Sequence, residues 1–460
     1  MTDITAALAH LDSDQDAAIA RLFETIKIES VSTDPAYAAE CRRCAEWHAV
    51  DLASIGFETR VADTPGHPMV VGHHDGPGPH VLFYGHYDVQ PVDPLDLWTH
   101  GAPFEPAILT KEDGTKVLHG RGTADDKGQL MTFVEACRAL KTTTGGLPCK
   151  VTVLLEGEEE SGGLSLPPFL DANRDELKAD IALICDTGMW DPQTPAITTM
   201  LRGNVGEQVT IHAASRDLHS GFYGGAAQNP IHVLTRILAG MHADDGKITI
   251  PGFYEGVSEL PANIKAQWDG LGFSADEFLG DIGLSEPSGK HGYSALEHTW
   301  SRPTAEVNGI WGGYIAEGFK TVIPAEAHAK VSFRLVGTQD PEDVRAKFRK
   351  FVEDHLPSDC SASFVSRGGG AATVMPTDDP AFEKARQALT DEWGREAAFI
   401  GCGGSIPVVG ELVTRLGMDS LLIGFGLPDD NLHSPNEKYD LTSFTKGARS
   451  WLRVLAALAD

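Results

Sequence analysis

Apolar and polar positions change rhythm several times along the chain. Across 14–27 and 37–54, apolar residues return every three or four positions until Gly56, so two amphipathic helices are expected at Asp14–Lys27 and Tyr37–Ser54. Short unbroken apolar runs follow: Val81-Leu82-Phe83-Tyr84, Val151–Leu155, Ile181–Cys185 and Leu421-Leu422-Ile423. Runs of that length without alternation suit strands covered on both faces, and the helical spacing of Leu130, Phe133, Val134, Cys137 and Leu140 lies between them. The pattern predicts an α/β domain with a mostly parallel sheet and helices on both faces. Each run leads into ionisable residues: Gly85-His86, Glu156–Glu160, Asp186 and the loop holding His433. In parallel sheets, ligand sites form beyond the carboxyl ends of the strands.

The middle of the chain follows another pattern. Gln208–Ala213 and Ala327–Leu335 alternate as half-exposed strands do, while Asn229–Met241 and Pro341–His355 have helical spacing. An inserted α+β unit is expected at 203–372, which makes 1–202 and 373–460 two parts of one interrupted domain. No internal repeat is found.

Composition narrows the class. A chain of 460 residues, 42% hydrophobic, with 49 Gly and 27 Pro, is neither a disordered tail nor a coiled coil. Its 37 Lys+Arg against 66 Asp+Glu leave a net charge of −29, which disfavours nucleic acid and anionic membranes as partners. No basic stretch followed by an apolar core opens the sequence, and no apolar run approaches the ~20 residues that span a bilayer, so a soluble, cytoplasmic protein is expected. The seven cysteines are scattered, and Cys41-Arg-Arg-Cys44 reads as thiols on a helix face. The G-x-S-x-G, phosphate-loop and H-E-x-x-H motifs are missing, and Gly401–Ser405 reads as backbone approaching a small ligand.

Each candidate group has an ordinary explanation when taken alone. Asp126 can cap a helix N-terminus, and Glu156-Gly157-Glu158-Glu159-Glu160 can be an acidic surface loop. Two histidines and several carboxylates gathered at strand ends instead match the N and O donors preferred by divalent transition metals. Two such ions ~3.5–4 Å apart can acidify a water and polarise a carbonyl, and a separate carboxylate must then move the proton. Glu159 and Glu160 are adjacent and can divide those duties, although their spacing does not say which is base and which is ligand.

In order along residues 80–440, the chain carries Gly85-His86-Tyr87-Asp88-Val89-Gln90-Pro91, Arg121–Gly128, Glu156–Gly162, Asp186, Arg216–Gly221, Lys320–Pro324, Arg334, Gly403–Pro407 and His433-Ser434. This series resembles the M20 metallopeptidase family, in its dipeptidase branch of carnosinase-like and cytosolic nonspecific dipeptidases. The resemblance implies that Asp125 bridges two divalent ions, with His86 and Asp186 on one and Glu160 and His433 on the other. Zinc is the expected metal, with manganese or cobalt as alternatives. It makes Glu159 the general base and has Asp88 hold the His86 imidazole. The insert becomes a lid that forms a homodimer, from which His219 reaches the partner subunit's site to stabilise an oxyanion. Arg334 would grip the terminal carboxylate of a small peptide substrate, helped by Thr321, Gly404 and Ser405. The implied reaction is cleavage of dipeptides or short peptides with a free C-terminal carboxylate. Hydrolysis of N-acyl amino acids is the alternative, and a non-catalytic metal-binding protein the third reading. Glu158 beside the base and Cys402 depart from the family pattern.

Overall fold

In the computed structural model, which describes residues 3–460, the unbroken apolar runs become the centre of one large sheet. The strands Lys150–Glu156, His80–His86, Ile181–Ile184 and Ser420–Leu422 lie side by side and parallel. Antiparallel strands flank them. Met69–His74 pairs with Lys150–Glu156 and carries Glu58–Ala62 outside it, and Leu422 pairs with Thr198 on the other flank. The Glu58–His74 hairpin did not announce itself in the apolar pattern, because its outer strand is largely solvated. The central strands are buried almost throughout, which accounts for their unbroken apolar runs.

Helices Lys127–Thr144 and Leu441–Ala459 pack on each other and on this sheet. Phe83 stacks on Phe133 with ring centroids 3.8 Å apart, and Trp451 sets its edge against both. The expected N-terminal helices are Gln15–Ile26 and Ala38–Ser54, with a further helix, Thr5–Ser13, ahead of them. A small sheet of Ala107–Thr110, Lys116–His119 and Lys438–Asp440 brings two distant parts of the sequence together.

Two compact units are distinguished. The first runs to Thr199 and takes in Met375–Ile400 and Pro407–Asp460, and the second comprises Met200–Val374 and Gly401–Ile406. The second unit is built on an antiparallel sheet in the order Thr304–Gly312, Glu326–Leu335, Gly203–His212, Ser361–Gly370. Helices Pro230–Ala239 and Pro341–Asp354 cover it through a core that includes Val205, Val209, Ile211, Phe333, Phe348 and Val352. Both helices start alike: Pro occupies the first turn, and the side chains of Asn229 and Asp340 accept from the backbone N–H groups of Ile231 and Asp343. A two-stranded ribbon pairs Leu218–His219 with Val322–Ile323.

All seven cysteines are free thiols, with Cys41 and Cys44 buried on helix Ala38–Ser54. Among the described residues, no helix is long and apolar enough to cross a membrane.

Candidate active site

The five donor side chains expected from the sequence meet beyond the carboxyl ends of the central strands. His86 ends its strand, and its Nε2 lies 3.2 Å from Asp125 Oδ1 and 3.9 Å from Asp186 Oδ2. The other oxygen of Asp125, Oδ2, lies 2.9 Å from His433 Nε2, which is 3.3 Å from Glu160 Oε2. The donor atoms of His86, Asp125 and Asp186 all fall within 4.8 Å of one another, as do those of Asp125, Glu160 and His433. Asp125 therefore belongs to both groups.

Local structure explains this convergence. His86 and Glu156 are register partners on adjacent parallel strands, so the single turn Glu159–Ser161 emerges beside His86. Asp125 and Asp126 are joined by a cis peptide immediately before helix Lys127–Thr144, and Asp186 follows the strand Ile181–Ile184. His433 sits in a loop where Asn431, His433 and Asn436 adopt left-handed backbone angles of 56°, 57° and 61°.

The electrostatics of this donor set fit divalent cations. Among the described residues, His86 Nε2 and Glu160 Oε1 are buried without a hydrogen-bond partner. Burial, reinforced by the carboxylates of Asp125 and Asp126, pushes Asp186 well above the usual range. Burial alone would lower the His86 pKa, yet Asp125 and Asp88 raise it well above the ordinary imidazole value. Asp125 and Glu160 raise His433 to about 10. Such a cluster draws protons because its carboxylates lack positive charge, and metal ions satisfy the same demand while releasing those protons.

The family model for peptidase family M20/M25/M40 matches residues 82–457. The chain belongs to this family. It is 30% identical to the Cys-Gly metallodipeptidase DUG1 of Saccharomyces cerevisiae, over 98% of this chain and 97% of the relative. The crystal structure of human carnosine dipeptidase 1 superposes with a TM-score of 0.78 at 26% identity, covering 100% of this chain and 99% of that one. The M20 metallo-carboxypeptidase Sso-CP2 from Sulfolobus solfataricus gives a TM-score of 0.79 at 26% identity, covering 96% and 99%.

In this M20 chain a layer of hydrogen bonds surrounds the donors. Asp88 Oδ2 accepts from Ser32 Oγ at 2.6 Å and from the Glu160 backbone N–H at 3.0 Å. His86 Nδ1 lies 3.1 Å from the main-chain oxygen of Asp88 and 3.4 Å from its carboxylate Oδ1, so the main-chain oxygen is the nearer partner. Gln90 Nε2 donates to Glu160 Oε2 at 2.7 Å. Asp126 makes no side-chain cap to the helix it precedes; its Oδ2 instead accepts the His86 N–H at 3.1 Å, so the capping role weighed from the sequence does not hold. The Glu159 carboxyl is pushed upward by burial and by Glu160, Asp88 and Asp125, with His86 opposing. Glu158 points elsewhere: its Oε2 accepts from the Ser165 N–H at 3.1 Å, and the chain at Gly66 packs against its carboxylate.

The remaining candidates lie in the second unit. His219 Nδ1 accepts from the Gly221 N–H at 2.9 Å, and the ribbon sets His219 opposite Val322, next to Thr321. Arg334 stands across from Asn204 and Thr304, and its guanidinium has no hydrogen bond or ion pair among the described residues. Arg202, which the sequence did not single out, is its electrostatic neighbour: burial and the Arg334 charge pull it down to about 10. Arg202 donates Nε to Gly403 O and Nη1 to His298 O, both at 3.1 Å, holding the loop that carries Gly404 and the exposed Ser405. The Gly404 N–H lies 3.4 Å from Cys402 Sγ. Arg202 lies immediately before the strand Gly203–His212, close to Asn204, the register partner of Arg334, a relation visible only once the strand register is known.

Proposed function

We propose that this chain hydrolyses the peptide bond of dipeptides and similarly short peptides with a free C-terminal carboxylate. The observation that carries the reading is the sharing of Asp125 between two three-donor groups in a chain of this family. Its similarity to the dipeptidases named above supports the substrate class.

His86, Asp125 and Asp186 would hold one divalent ion and Asp125, Glu160 and His433 the other. Zinc suits the mixed imidazole and carboxylate donors best, with manganese or cobalt as alternatives. When bound, such ions acidify a water and polarise the scissile carbonyl. Glu159 then takes the water's proton and passes it to the leaving amine. Asp88 orients the His86 ring from the Nδ1 side. Because His219 Nδ1 accepts a backbone N–H, its proton resides on Nε2, the tautomer needed to donate to a developing oxyanion. Arg334, whose guanidinium has no hydrogen-bond or ion-pair partner among the described residues, receives the substrate carboxylate, assisted by Thr321, Gly404 and Ser405.

A homodimer through the second unit, as lid and dimerisation domain, belongs to the same proposal. Phe222, Ile315 and Phe319 are 82%, 83% and 92% exposed, and Thr304–Gly312 is an edge strand. Such a surface favours a second copy.

The test is hydrolysis of Cys-Gly, carnosine, tripeptides and N-acetyl amino acids by metal-loaded protein, beside Glu159→Ala. Dipeptides should be cleaved, and the variant should lose at least about 10²-fold in kcat while keeping both metals. Substantial turnover by Glu159→Ala would remove it as the base, and cleavage of N-acetyl amino acids alone would favour the amidohydrolase reading.

A further inference from the structure

The donor side chains come from segments far apart in sequence, and one buried carboxylate outside the donor set ties two of those segments together. Glu437 lies four residues beyond His433 and is fully buried. Its Oε1 accepts the backbone N–H groups of Ala124 at 2.8 Å and Asp125 at 3.1 Å. Its Oε2 accepts the Gly122 N–H at 2.9 Å and Arg121 Nη1 at 2.7 Å. The main-chain oxygen of Glu437 accepts the Gly120 N–H at 3.1 Å.

Arg121 completes the clamp. It is 1% exposed, donates Nη2 to Pro91 O at 3.1 Å, and sits over the Trp98 ring at 5.5 Å. A single carboxylate accepting four donors, one of them charged, fixes the 121–125 loop much more tightly than separate neutral bonds would. The loop also fits closely against its surroundings. Gly122 has φ +86°, and a Cβ there would lie 2.8 Å from Val89 Cγ1.

We infer that Glu437 is a positioning residue for the metal centre. It sets the main chain of Asp125, the donor common to both groups, relative to the loop that supplies His433. The inference rests on the two-metal reading above. Both ions depend on Asp125, so releasing its backbone should weaken both together, whereas loss of a single donor such as Asp186 would weaken one.

The experiment is zinc titration of metal-stripped protein against a competing chelator, with the thermal midpoint of the metal-free chain measured in parallel. Glu437→Gln keeps the shape but loses the charge. It should weaken both zinc equilibria about 10–100-fold while retaining a cooperative thermal transition, the range typical of residues that orient metal ligands through hydrogen bonds. Excess zinc should restore kcat. Asp429→Asn serves as a control, since Asp429 bonds Lys438 in the same segment without touching the 121–125 loop, and it should bind zinc as the parent does. If Glu437→Gln does not fold, Arg121→Lys decides the matter, because it removes the planar fork and should shift zinc affinity in the same direction. Unchanged zinc affinity in a folded variant overturns the role of Glu437 alone. A parent chain that takes up no divalent ion overturns the two-metal reading itself.

Discussion

His48 shows how one side chain can set a property of the whole fold. It is buried on helix Ala38–Ser54, with Nε2 3.1 Å from Thr25 Oγ1. Burial and the Lys127 charge hold its imidazole down to about 3, so the folded chain keeps it neutral while the unfolded chain protonates it below the ordinary value of 6.5. Between those two values the unfolded state binds more protons, so stability falls as pH drops, by up to about 1.4 kcal/mol per pH unit from this group. Between pH 7 and pH 5, His48→Gln should lose about 2 kcal/mol less unfolding free energy in urea than the parent. Equal losses in the two proteins would clear His48 of the effect. The residue types at the candidate site were legible only as a set: each has an ordinary explanation alone, whereas two histidines and several carboxylates gathered at strand ends suit few other tasks. The partners that hold them, Gln90, Glu437 and Arg121, were not, since each bond joins residues that sequence spacing does not relate.

At the scale of elements, the parallel strands decide where chemistry can occur, and glycines decide how closely their ends approach. Gly424 follows the strand Ser420–Leu422, where a Cβ would lie 2.0 Å from Thr187 O and 2.5 Å from Cys185 O. Those atoms belong to backbone on either side of Asp186, so they have little freedom to yield. Gly424→Ala should destabilise the fold by about 1–3 kcal/mol, read from the urea midpoint, and weaken zinc binding by displacing Asp186. An unchanged midpoint would show that the strand ends can part at no cost. The four central strands and the helix Lys127–Thr144 were legible because their apolar spacing is a local property. The hairpin Glu58–His74 and the sheet Ala107–Thr110, Lys116–His119 and Lys438–Asp440 were not, because Glu58–Ala62 and Ala107–Thr110 are partly solvated and the more buried strands are interrupted by polar residues or Gly.

For the whole molecule, the proposed homodimer makes a clear demand. Ile315→Asp and Phe319→Asp together should convert the dimer to a monomer in sedimentation experiments, since two buried charges without partners oppose association strongly. A parent that sediments as a monomer would refute the dimer. If His219 serves the partner's site, mixing Glu159→Ala protomers with His219→Ala protomers should restore part of the activity. Verified mixed dimers without recovery would place His219 in its own subunit's site.

The amino-acid sequence by itself determined the fold class and the placing of ionisable residues at strand ends, because burial on both faces and helical periodicity are written in neighbouring positions. Only the tertiary structure decided that Asp125 turns one oxygen towards His86 and the other towards His433, that Asp126 serves the His86 backbone rather than a helix end, and that Glu437 grips a loop more than 300 residues earlier. Those relations depend on strand register and on bonds between distant segments, and neither leaves a periodic trace along the chain.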